Sequence, residues 1–321
     1  MKFGIAAMLM TGMIMTSAMT ASALDVGTGI SGAPDGAKAG VAAAQKAKAG
    51  IGKVTPKLIV VFAGRKQLTP AMVDAVATVF DKELIYGCEG YSPLTDETNL
   101  HEQGHSADGV AVLALGGEVT VTVASGSTKV SDGRVKAGEA IGAALKAAAL
   151  VAEDGKFLLT FGDQHVGQNN KDLVQGLQNQ LGKKLLMVGA AAGGGQAKEI
   201  VAGEIVTDTN IGILIAGAFQ TRAAMSGDKT DFAGTCKNVM SAAVGQQQDK
   251  VKMAFVFNCG GRRGGMVQEQ SLKKEFDYMK ASLGEAPLFG FYGGGEVGAK
   301  DNHSPSQGVG YSIATAVILT K

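Results

Sequence analysis

Short apolar runs alternate with amphipathic stretches along most of the chain, and the alternation predicts strand–helix–strand units in series. In the last third, the apolar run Lys252–Phe257 stops at Asn258-Cys259-Gly260-Gly261-Arg262-Arg263-Gly264-Gly265, which reads as a strand emptying into a glycine loop. A helix is expected over 267–283, where Leu272, Phe276 and Met279 recur at helical spacing. A second strand, Pro287–Tyr292, then ends in Gly293-Gly294-Gly295-Glu296.

Two earlier stretches repeat this order. The first has Ala39-Gly40 opening a helix, strand Lys57–Phe62, a helix over 71–79 and strand Glu83–Tyr86. The second has Ala137-Gly138 opening a helix, strand Lys156–Phe161, a helix over 172–181 and strand Lys184–Val188. The third opens at Ala233-Gly234, and in all three the distance from the Ala-Gly pair to the closing Phe agrees to within one residue. Each unit closes with a further strand: Val110–Leu115, continuing as a hairpin through Val119–Val123; Ile211–Ile215; and Val309–Leu319. The expected fold is α/β, with mixed sheets built from three pseudo-repeated β-α-β-type units. Glycine-rich loops at the strand ends are where such sheets take ligands.

The segment before the first helix changes the picture of where the protein works. Residues 1–23 begin with Lys2, continue as an apolar Met-rich run and end in Ala21-Ser22-Ala23, the pattern of a secretory signal cleaved after Ala23. Export to the periplasm or the medium is expected, without stable membrane insertion after cleavage. A flexible leader is expected over 24–36. Lys2 is the signal's only charge, so its loss takes the 30 basic residues to 29, equal to the 29 acidic ones. A neutral chain without Trp is a poor nucleic-acid binder. Cys88, Cys236 and Cys259 are an odd set, so at least one thiol is unpaired within the chain. Three buried free cysteines is one reading and a Cys88–Cys259 disulfide the other.

Candidate chemistry gathers at the strand ends. Arg262 and Arg263 offer donor forks suited to a carboxylate, and Glu296 could hold an amine, so an amino acid would suit the pair; Arg262 and Glu296 pairing with each other is the plainer alternative. Cys259 beside two arginines permits a cysteine nucleophile, although no histidine lies nearby in sequence. The first unit's turn adds Cys88 and Glu89. His101-Glu102-Gln103-Gly104-His105 matches a zinc-helix pattern, but its polar, glycine-containing setting reads as a surface loop. Metal binding by His101 and His105, joined by His303, stays open, and His165 reads as a loop residue beside the second unit's strand. There is no C-x-x-C-H haem attachment motif.

Phe257-Asn258-Cys259-Gly260-Gly261-Arg262 and the segment Gly290-Phe291-Tyr292-Gly293-Gly294-Gly295-Glu296-Val297-Gly298 resemble the FIST sensory domain. The Pro56–Gly64 strand and Ile85-Tyr86-Gly87-Cys88 look like the family's early part. The resemblance implies a FIST N-terminal region over 37–220, holding two units, and a C-terminal region over 221–321. It implies a small-ligand sensor, with amino acids as proposed ligands. The ligand-binding residues expected are Cys88, Glu89, Asn258, Cys259, Gly260, Arg262, Arg263, Gly293, Gly294, Gly295 and Glu296. No cofactor is expected; a haem- or zinc-binding sensor and a cysteine-dependent enzyme are the alternatives. The chain has no kinase or cyclase segment of its own, so a separate signalling partner is an expectation.

Overall fold

The computed structural model describes residues 24–97, 108–129, 133–147, 155–164, 169–193 and 196–321. The first unit comprises β1 (Asp25–Ser31), α1 (Gly36–Ile51), β2 (Pro56–Gly64), α2 (Pro70–Ala77), β3 (Ile85–Gly90), β4 (Ser92–Thr95) and β5 (Val110–Gly116). The second comprises β6 (Val119–Ser127), α3 (Gly133–Ala147), β7 (Lys156–Gln164), α4 (Asn169–Leu181), β8 (Leu186–Ala192), β9 (Glu199–Val201), β10 (Glu204–Val206) and β11 (Thr209–Gly217). The third comprises β12 (Phe219–Ser226), α5 (Phe232–Val244), β13 (Val251–Cys259), α6 (Gly260–Gln268), α7 (Leu272–Leu283), β14 (Leu288–Gly293), β15 (Glu296–Gly298), β16 (Gln307–Val309) and β17 (Ile313–Thr320).

The three units share one strand order. The sheets run β1-β5-β2-β3-β9-β10, β6-β11-β7-β8-β15-β16 and β12-β17-β13-β14-β4. In each, the unit's opening strand pairs antiparallel with its closing strand, which flanks a parallel pair. The next strand in each sheet comes from another unit. The first lends β4 to the third, the third lends β15 to the second, and the second lends β9 to the first. The exchange closes on itself, a threefold pseudo-symmetry written into connectivity.

Strand alternation sends side chains to two kinds of core. Leu58, Val60 and Phe62 of β2 join Phe157, Leu159 and Phe161 of β7 and Met253, Phe255 and Phe257 of β13 in one shared core. The equivalent phenylalanines meet there, Phe62 lying 5.2 Å from Phe161 and 6.0 Å from Phe257 between ring centroids. The intervening residues face outward, each sheet packing its own helices in a separate cluster: Ile59 and Val61, Leu158, and Ala254 and Val256. Within each parallel pair one glycine recurs. A Cβ on Gly87, Gly189 or Gly290 would stand 1.9, 1.6 or 1.7 Å from the carbonyl oxygen of Val61, Thr160 or Val256. No side chain fits there, so glycine is required at the same register three times.

Four expectations need correction. The leader is not free over 24–36: Leu24 is buried and Asp25–Ser31 is paired strand. The hairpin through Val119–Val123 does not form, because β5 stays in the first sheet while β6 opens the second unit against β11. The expected loop at 260–265 is the first part of α6, and the single helix over 267–283 is two, broken where Gln270 takes a positive φ of 56°. Of the two cysteine readings the first holds: Cys88, Cys236 and Cys259 are all buried and free, and no Cys88–Cys259 disulfide is present.

Candidate functional site

The exchanged strands begin at the three glycine-rich turns, and those turns hydrogen-bond to one another. The Tyr91 amide donates to the Tyr292 carbonyl, Gly193 to Glu89, Ala191 to Gly295, and Gly294 to Ala191. Against this junction lies a cavity of about 560 Å³, lined by Tyr91, Cys259, Gly260, Gly261, Gly293, Gly294, Gly310 and Tyr311. Its walls thus come from the first unit's turn, the start of α6, the end of β14 and the turn before β17. Glycine is needed for the close packing: a Cβ on Gly260 would be 2.4 Å from the Tyr91 ring, and one on Gly261 2.7 Å from the Tyr311 ring. This explains why a glycine run is helical here despite its poor helix propensity. Tyr311 has φ 62°, and Asp208, at the matching place before β11, has φ 54°. The left-handed residue recurs at this turn in two of the units.

Beneath the cavity is a polar network. Asn258 Oδ1 accepts from the Cys259 amide (2.9 Å) and from Arg262 Nε (3.0 Å), while Asn258 Nδ2 donates to Glu275 Oε1 (2.7 Å). Tyr292 Oη donates to Glu275 Oε2 at 2.7 Å. Arg262 spends its other nitrogens on the carbonyls of Asp228 (2.8 Å) and Phe232 (2.9 Å), and its guanidinium lies 5.0 Å from the Phe232 ring centroid. Arg262 is wholly buried and ties α6 to the start of α5. It does not form the side-chain pair with Glu296 considered from sequence.

Glu296 is also wholly buried. Its Oε2 accepts from the Ser312 amide (2.9 Å) and hydroxyl (2.7 Å), while its buried Oε1 receives no N–H or O–H. Burial pushes its pKa up to about 8, against the opposing pull of Ser312 and Arg262, so the carboxyl holds its proton at neutral pH. The Cys259 thiol stands beside this carboxyl, with the backbone N–H groups of Gly261, Tyr311 and Arg262 directed at its sulfur. Burial and Glu296 raise the thiol above its ordinary range despite those three donors. A second cavity, of about 380 Å³, lies on the far side of the same turn and is lined by Ser312, Gly310, Val309, Gln307, Lys300 and the 225–227 segment. A further depression, of about 650 Å³, lies away at the C-terminal ends of α5 and α7 around Gly245, Gln248 and Glu285.

Residues 164–299 match the family model described as the FIST C domain. Over that stretch the chain is similar to FIST C domains. The stretch contains Asn258, Cys259, Gly260, Arg262, Arg263, Gly293, Gly294, Gly295 and Glu296, whereas Tyr91, Gly310, Tyr311 and Ser312 lie outside it. FIST domains are small-ligand-binding sensory domains. No curated protein matches the chain. Two solved structures of cyanuric acid hydrolase show a distant likeness. One, titled as evolutionary innovation by structural concatenation, is 11% identical with a TM-score of 0.46 and covers 94% of this chain and 100% of its own. The other, from A. caulinodans, is 9% identical with a TM-score of 0.49, covering 92% of this chain and 100% of its own.

Of the residues anticipated from sequence, Cys259, Gly260, Gly293 and Gly294 line the cavity around the start of α6. Asn258, Arg262 and Glu296 form the layer beneath. Arg263 lies 6.0 Å from the Tyr292 ring centroid, and the Gly295 carbonyl serves the turn junction. Cys88 and Glu89 are not among the lining residues: Cys88 faces the shared core, and Glu89 lies 3.7 Å from Arg65. His101, His105 and His165 fall outside the described residues. His303 is exposed in a turn where its amide donates to Asp301, and no metal-binding cluster occurs among the described residues. Tyr91, Gly261, Tyr311 and Ser312 were not anticipated. The glycines at 308 and 310 were the available signal for the last turn.

Proposed function

We propose that the chain is an exported sensor that binds an amino acid or similar small metabolite in the 560 Å³ cavity. The observation that carries this reading is the convergence of Gly260 and Gly261, the first residues of α6, with two tyrosines on one cavity. Amides at a helix start attract an anion, and glycine lets a ligand's carboxylate approach the backbone. The volume lies within the usual small-molecule range of about 300–1,000 Å³. The ammonium end would meet the Tyr91 and Tyr311 rings, in place of the Glu296 contact expected from sequence. Arg262 supports the cavity floor rather than clamping the ligand. A separate protein reads out binding, and the signal pattern over 1–23 supports a mature domain outside the cytoplasm.

A thermal-shift screen of amino acids and small carboxylates, followed by titration calorimetry, tests the site. Tyr91→Ala, at an exposed lining residue, should weaken binding while leaving the folded state intact. Unchanged affinity in that variant would refute the cavity assignment. Mass spectrometry of the mature protein tests export, for which an intact Met1 is the opposing result.

A further inference from the structure

Cys259 and Glu296 have features that simple ligand binding does not use. The thiol lines the 560 Å³ cavity, and behind it a fully buried carboxyl has one oxygen without an N–H or O–H partner. Oε2 accepts both Ser312 hydrogen bonds, so it acts as the carbonyl oxygen and the acid proton belongs on Oε1. Ser312 in turn lines the second cavity. The thiol on the cavity wall, the acid behind it and the backbone N–H groups at its sulfur therefore meet at one point.

We propose that Cys259 captures small aldehydes reversibly as hemithioacetals, with Glu296 as the acid–base group. This rests on the cavity being the ligand site. Addition to a carbonyl needs a sulfur nucleophile, a proton donor for the oxygen and stabilisation of charge developing there. The sulfur adds to the aldehyde carbon, forming an S–C bond as the C=O π bond breaks. Glu296 Oε1 gives its proton to the new alkoxide oxygen, then recovers a proton from the sulfur. The net change moves the thiol proton to the adduct's hydroxyl, and the glutamic acid is regenerated. No oxidant, reductant or leaving group is involved. The proton from Glu296 neutralises the charge that develops on the alkoxide oxygen. The reverse path uses the same groups, so capture is reversible, as sensing requires. Aldehydes suit this site better than esters: His303, the one histidine among the described residues, is exposed in a turn and its side chain has no part in the network.

The probe is ¹³C-labelled glyoxylate, whose carboxylate suits the α6 amides and whose aldehyde carbon reports on sulfur addition by NMR. The wild-type protein should show a protein-bound hemithioacetal carbon. Cys259→Ser should lose it. Glu296→Gln should reach the same extent of adduct at least tenfold more slowly, with its melting profile confirming the fold. No adduct in the wild type at saturating glyoxylate, or an adduct that persists in Cys259→Ser, would overturn the capture. An unchanged rate in Glu296→Gln would remove the acid–base role. Glycolate, which has no aldehyde, is titrated in parallel with wild type and Cys259→Ser. Glycolate binding without a glyoxylate adduct rejects covalent capture and leaves the ligand site standing; binding of neither compound rejects both.

Discussion

Glu199 and Glu296 occupy the same place in two different units. Each opens an exchanged strand, one residue before the partner of a register glycine: Ile200 opposite Gly87, and Val297 opposite Gly189. Each returns to its own unit for hydrogen bonds, Glu199 accepting from the Asp163 amide at 2.7 Å and Glu296 from Ser312 at 2.9 Å. Burial is the main cause that pushes both up to about 8. In the first unit the equivalent residue is Pro93, so the third copy carries no acid.

These two acids should make stability fall as pH rises. Asp163, Asp208 and Arg134 face Glu199, while Cys259 and Arg262 face Glu296. Each acid holds its proton more tightly folded, near pH 8, than at the ordinary 4.5 of an unfolded chain. The native state therefore binds more protons in that window. The contribution is complete below the ordinary value and declines through about pH 8, at up to about 1.4 kcal/mol per pH unit for each acid. Melting temperature should drop across this window, and Glu199→Gln and Glu296→Gln should each flatten the slope. A variant with the wild-type slope would show that its acid is not the titrating group.

Arg262 should matter to the fold more than to the ligand. Arg262→Met leaves Asn258 Oδ1 without its guanidinium partner and the carbonyls of Asp228 and Phe232 without theirs. Charged hydrogen bonds contribute about 1.5–3 kcal/mol each, so the loss should exceed about 3 kcal/mol in urea unfolding. Native-like stability with weakened ligand affinity would instead restore Arg262 as a direct ligand.

The register glycines predict a threefold-repeated sensitivity. Gly87→Ala, Gly189→Ala and Gly290→Ala each force a Cβ into a backbone oxygen and should cost more than about 2 kcal/mol, the upper part of the range for overpacking. Gly264→Ala, in α6 with nothing within 4 Å, should stabilise by up to about 1 kcal/mol. Denaturant midpoints for the four variants decide the matter, and equal midpoints would refute the register argument.

Removing Asp25–Ser31 should destabilise the first sheet, since it uncovers β5 along seven paired positions and one flank of α1. A mature protein shortened to begin at Gly32 should aggregate or lose its cooperative melting transition. An unchanged transition would mean that β1 adds nothing to the fold.

Much of this was visible in the sequence, for physical reasons. The parallel pairs and their covering helices showed as apolar periodicity, and the matching Phe62, Phe161 and Phe257 revealed the repeat because all three face one core. The strand β1 was missed because Gly27 and Gly29 look like linker. Their Cβ positions would fall 2.0 and 2.3 Å from the Ala47 and Ala43 carbonyl oxygens, so they are glycine for contact with α1. Strands β4, β9 and β15 are too short for periodicity, and their sheet partners belong to other units. At the site, Cys259 and the flanking glycines stood out locally. Burial of Arg262 depends on carbonyls about thirty residues away, and Tyr91 and Tyr311 arrive from distant turns.

The closed loan of strands limits how the chain can be divided. The matched stretch 164–299 begins at the last residue of β7 and stops before β17, which lies between β12 and β13 in the third sheet. A fragment cut at those bounds would lack the middle of one sheet and most of the central strand of another. A single unit, excised whole, would have a vacant neighbour beside its parallel pair and a homeless strand of its own. Three such excised pieces could satisfy one another only by gathering around the same axis. The smallest portion that can be transplanted into another protein as a self-sufficient body is therefore the full ring of three.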